Sequence, residues 1–144
     1  MNLKNPLGVG IAAAGAAILL ISTFLPLNES VMPIEHNTLL QHGGWFIAVG
    51  AIGIATTTIK YDQTAKQPWG MAIILLAGLL CVATAAYKAM NTVFYPIGLN
   101  GKPDPTLPSV SASLGIAVYI AALGLVISAT GMYYLWSSKR LLSK

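Results

Sequence analysis

The segment ESVMPIEHNTLLQHGGW, residues 29–45, holds both histidines of the chain and two of its four acidic residues. Glu35 and His36 are adjacent, His42 follows in the same segment, and Met32 adds a soft thioether. Carboxylate oxygen, imidazole nitrogen and sulfur are donor types of transition-metal sites. Such a site needs three or four donors of matched softness, oriented by outer partners. Met32, Glu35, His36 and His42 are thus the candidate ligands. Their spacing follows no common metal motif, so the expectation is a loop without a bound metal or cofactor. A pH-sensitive contact through His36 or His42 is the other chemistry the segment offers.

The remaining residues narrow the chemistry further. No G-x-S-x-G elbow and no Gly-rich phosphate loop occurs. Cys81 is the single cysteine, which precludes an intrachain disulfide. Four-helix quinone-linked disulfide enzymes need paired cysteines, and claudin-like proteins need two in their first outer loop. Small multidrug transporters need a membrane-embedded Glu. Bundle haem proteins need histidines on facing helices. None of these requirements is met, and no catalytic residue is predicted.

The elements that must position these side chains follow from composition. The chain has 144 residues, 56% hydrophobic and 8% charged, against about 25% charged in soluble domains. Charge-free runs cover Leu7–Leu25, Gly43–Ile59, Gln67–Tyr87 and Pro105–Ser138. A bilayer core of about 30 Å takes roughly 20 apolar residues as a helix. The runs predict a single domain, residues 1–144, of four transmembrane helices over about 6–26, 38–60, 69–90 and 110–137. Pro6 suits a helix start, and Asn37 or Thr38 a cap for the second helix. The first helix is expected to be a retained signal anchor, because no A-x-A-like cleavage site follows its long apolar run.

With the N-terminus inside, Lys4, Lys60, Lys66, Lys139, Arg140 and Lys144 lie on the inner side, and Lys88 and Lys102 outside. That bias follows the positive-inside rule. It accounts for the net charge of +4 without nucleic acid as a partner. The fold class is therefore all-α: a four-transmembrane-helix bundle in the cell membrane, multi-pass, with both termini cytoplasmic, a short inner loop and two outer loops. Ionisable side chains are expected to stay out of the spans. In the second outer loop, Gly101, Pro103, Pro105 and Pro108 are expected to exclude regular structure. Ser109, Ser111 and Ser113 are read as caps of the last helix.

The last helix carries a packing signal. Ala117, Ala121, Gly124, Ser128 and Gly131 alternate spacings of four and three. That places small residues on one face, where backbones can approach closely. The seam serves either helix packing within the chain or a partner subunit. Gly8, Ala12 and Gly15 form a matching seam in the first helix, and Ala77, Cys81 and Thr84 one in the third.

Ser22-Thr-Phe-Leu-Pro, Gly44-Trp45 and SASLGIAVYIAALGLVISATG (residues 111–131) together resemble small four-pass membrane proteins of actinobacteria, including mycobacteria and their phages. The resemblance implies an integral membrane protein of mostly unassigned activity and transfers no catalytic residue. The leading expectation is a non-catalytic accessory or scaffold subunit of a larger membrane complex, partnered by lipid and by other membrane subunits or copies of itself. The alternative is a homo-oligomeric channel or carrier for a small or apolar solute, lined by Thr56, Thr57, Thr84, Ser128 and Thr130. The third is a metal- or redox-linked module using the first outer loop.

Overall fold

Asn5 and Pro6 start the first helix by complementary means. The Asn5 side chain accepts a hydrogen bond from the Gly8 N–H at 3.2 Å, satisfying one of the orphan donors of the first turn. Pro6 occupies the first turn, where its missing N–H costs nothing. The computed structural model describes residues 5–29, 38–64, 69–96, 98–99, 101–102, 104–111 and 113–142. Among them are α1 (Pro6–Ser22), α2 (Trp45–Thr64), α3 (Trp69–Met90) and α4 (Ile116–Leu142), with a π-helical turn at Leu40–Gly44 leading into α2. Four two-residue strands lie between the helices: β1 (Asn28–Glu29), β2 (Val93–Phe94), β3 (Val110–Ser111) and β4 (Ser113–Leu114). The chain is all-α, with four helices among the described residues.

Among the described residues, two helices are long and apolar enough to cross a membrane: α3, and the Ile116–Ser138 part of α4. The most apolar window of α3 is only 11% buried, against 44% in α4. The apolar helix α1 is shorter, at 17 residues.

Several boundaries differ from expectation, each for a local reason. The first helix stops at Ser22 rather than near 26. The Ser22 and Thr23 hydroxyls donate to the Leu19 and Leu20 carbonyls at 2.6 Å, competing with another helical turn. The regular second helix starts at Trp45 rather than 38, because Leu39 and Leu40 donate their N–H groups to Leu25 and Thr23 carbonyls. It also runs on to Thr64, since no glycine or proline interrupts it after Ile59. The last helix starts at Ile116, not 110. Ser-Val-Ser-Ala-Ser-Leu alternates with a period of two, which is a strand pattern. Partners are available for it: Val110 and Ser111 pair with β2, and Ser113 and Leu114 with β1.

α1 packs against α4 and α2, and α3 packs against α2 and α4. The α1–α4 contact is the most extensive and runs antiparallel. A Cβ on Gly15 would stand 2.4 Å from the Ser128 nitrogen, and one on Gly131 would stand 2.4 Å from the Ala12 nitrogen. Further along, a Cβ on Gly124 would reach the Leu19 nitrogen at 2.8 Å. Ala117, Ala121, Gly124, Ser128 and Gly131 are all buried. The α4 seam thus closes on Gly8, Ala12 and Gly15 of α1 within the chain.

The strand end is organised around residues 23–29. Pro26 bridges to Thr38, while Leu27 accepts from the Gly115 N–H at 2.8 Å. Gly115 has no room for a side chain, because a Cβ would lie 2.4 Å from the Pro26 carbonyl oxygen. Buried Asn28 donates through Nδ2 to the Ala89 carbonyl at the end of α3, at 2.9 Å. One short segment therefore fixes the ends of all four helices.

Gly131→Ala and Gly15→Ala are expected to destabilise the protein by about 1–3 kcal/mol each, the usual cost of overpacking. A Cβ on Gly10 would meet nothing within 4 Å, so Gly10→Ala is expected to be neutral or slightly stabilising. Thermal unfolding in mild detergent, followed by circular dichroism, separates the two classes.

Candidate functional site

Met32, Glu35 and His36 lie outside the described residues, and so does the side chain of His42, whose backbone forms part of the π-helical turn. Among the described residues, no group of three or more His, Cys, Asp or Glu side chains is placed to hold a metal.

The hydroxyls considered for a homo-oligomeric pore are hydrogen-bonded to backbone carbonyls. Thr56, Thr57 and Thr130 donate to carbonyls one turn earlier on their own helices, at 2.5–3.1 Å. Thr84 does the same to Leu80. Ser128 faces α1, with its hydroxyl 3.4 Å from the Ala12 carbonyl. The α3 seam also differs from expectation. Cys81 is half-buried, but Ala77 and Thr84 are exposed. α3 meets its neighbours through buried Met71, Val82 and Ala89, with half-buried Ile74, Leu75 and Cys81 packed beside them.

Two polar features emerge that sequence reading did not anticipate. The first is at the end opposite the strands. Asp62, expected in a loop, lies in the last turns of α2 and is fully buried. Its Oδ1 accepts from the Asn5 N–H at 3.0 Å. Asn5 Nδ2 donates to Ser138 Oγ at 2.8 Å, and that hydroxyl donates to the Leu135 carbonyl at 3.0 Å. Asn5 therefore caps α1 while tying it to α2 and α4. Asp62 lies beyond the span expected over 38–60 and is helical because α2 outlasts its apolar run. The Asn-Pro pair was a readable cap signal; its partners were not readable.

The second feature is a cleft between α2 and α3 near the strand end, with a volume of about 240 Å³. α2 and its π-helical turn contribute Gly44, Phe46 and Ile47, and α3 contributes Cys81, Thr84, Ala85 and Lys88. The π-helical turn is closed by the Gly44 N–H donating to the Leu39 carbonyl at 2.8 Å. A Cβ at Gly44 would lie 2.5 Å from that same oxygen, so this turn needs glycine. Cys81, Thr84 and Lys88 share one face of α3 at helical spacing. The walls are mostly apolar, and the one charged group is the Lys88 ammonium at the rim.

Beyond the strands, Asp104 closes a polar turn. Its Oδ1 accepts from the Thr106 N–H at 2.9 Å and the Thr106 hydroxyl at 2.6 Å. These bonds favour the ionised form and hold the carboxyl below its ordinary value. Searches against known protein families, curated proteins and solved structures find no match for this chain.

Asn5→Ala should cost about 1–2 kcal/mol, since it removes the cap and the link to Ser138. Ser138→Ala should cost less, and the double variant should show non-additivity when unfolding is followed in detergent. For Asp104, NMR titration should give a pKa below the usual value of about 3.9, rising in Thr106→Val. The sign follows: a depressed carboxyl stabilises the turn above the unfolded-state pKa, and that contribution is lost as pH falls through the lower folded value.

Proposed function

We propose that this chain is a four-helix integral membrane protein with both termini cytoplasmic, and that it serves as a non-catalytic accessory or scaffold subunit within a larger membrane complex. The observation that carries this reading is the open face of α3. Trp69, Ile73, Leu76, Leu80, Ala83 and Tyr87 recur at heptad spacing and are all exposed. In water such a stripe would drive association or aggregation. In a bilayer it is tolerated by lipid, and its spacing matches what a second helix needs for knobs-into-holes packing. The small residues Ala77 and Thr84 beside it allow close backbone approach.

The α4 seam is committed to α1, and of the two membrane-length helices α3 is the less buried, 11% against 44%. The resemblance to small four-pass actinobacterial membrane proteins points the same way.

A photo-crosslinking residue in place of Leu76 or Leu80 should trap a discrete second membrane polypeptide in native membranes. The same residue in place of Ile21, exposed on α1, should trap much less. Recovery of a second copy of this chain would assign the face to self-association. A monodisperse monomer in mild detergent, with no adduct from either α3 position, would sink the proposal.

A further inference from the structure

The cleft between α2 and α3 is a built feature with a polarity of its own. The π-helical turn at Leu40–Gly44 leads into the start of α2 and forms one end of the cleft. Gly44 keeps that turn closed, and Ala85 on the opposite wall leaves the space between the helices open. Phe46 and Ile47 line one side with apolar surface. The cleft has a volume of about 240 Å³. An apolar groove of this size suits part of an acyl chain better than it suits water.

The rim is cationic. Lys88 stands at the end of the stripe begun by Cys81 and Thr84, and no ion pair to it occurs among the described residues. The Asp104 carboxylate is engaged by Thr106. The Thr84 hydroxyl proton is committed to Leu80, so Lys88 is the group in the cleft able to hold an anion. An apolar slot with a lysine at its mouth, near a helix end, has the polarity of an anionic lipid. In the four-pass reading Lys88 lies at the outer membrane surface, so the head group it would hold is that of an outer-leaflet lipid, through a charge-assisted hydrogen bond to the phosphate.

The geometry points to a binding site for one anionic phospholipid, its phosphate on Lys88 and the upper part of an acyl chain against Phe46, Ile47 and Ala85. This rests on the membrane reading above. The site would hold lipid as a resident filler between α2 and α3, at the end where the strands tie the helices together.

Trp45 provides the probe, because it stacks on Phe46 with ring centroids 3.6 Å apart. Trp69→Phe and Trp136→Phe change exposed residues and leave Trp45 as the lone fluorophore. The full chain is reconstituted in phosphatidylcholine vesicles with rising fractions of dibrominated phosphatidylglycerol or, in parallel, dibrominated phosphatidylcholine. Quenching should favour phosphatidylglycerol by about five-fold, the size of one lysine–lipid contact near the surface. Lys88→Gln should abolish that preference without changing the melting temperature. Ala85→Phe, which fills the slot, should weaken quenching by both lipids. Equal quenching by the two lipids, or a preference that survives Lys88→Gln, overturns the site. Failure of the protein to float with the vesicles overturns the membrane reading itself and is distinguishable from either.

Discussion

The structure depends on the contact between α1 and α4, where two backbones meet with almost no side chain between them. At Gly15, Gly124 and Gly131, a single added carbon would collide with the facing main chain. Close approach multiplies weak dispersion contacts, and in lipid, where apolar burial gains nothing, such contacts are a main source of helix association. The contact also joins the first and last helices, so it closes the chain on itself. The other helices are placed by their relation to this pair.

Polar groups then fix the two ends. At one end Asn5 connects three helices, with the buried Asp62 carboxylate accepting from its backbone. At the other, residues 23–29 thread between the start of α2 and the start of α4, and Asn28 reaches the last turn of α3. These hydrogen bonds satisfy backbone groups that helix termini leave open. They also set what remains free. With α1 and α4 engaged along their length, α3 packs against α2 and α4, keeps its apolar stripe exposed and forms the cleft with α2. The exposed face and the cleft are both consequences of that arrangement.

Much of the helical framework was legible in the sequence. Long apolar runs, Pro6 and the Asn-Pro start announce helices by local chemistry alone. The small-residue seam of α4 was legible too, because its period survives in the letters. The strands were harder. The Ser-Val-Ser-Ala-Ser-Leu alternation was visible, but serine also caps helices, and only the presence of Asn28–Glu29 and Val93–Phe94 alongside decides between the two readings. The prominence of Met32, Glu35, His36 and His42 came from the scarcity of polar residues, whereas the polar contacts that organise the helices use Asn5, Asp62 and Asn28.

The sequence by itself determined that this is a helical, apolar chain with seams of small residues, since those properties reside in local composition and period. It could not say which seam meets which. The Gly8–Ala12–Gly15 and Ala77–Cys81–Thr84 patterns look alike as letters, yet α4 covers the first and leaves the second open. Tertiary structure alone decided that, because one face of α4 can lie at backbone distance from only one partner. The same choice put Asp62 beside Asn5, and Lys88 at the mouth of a cleft that no run of residues encodes.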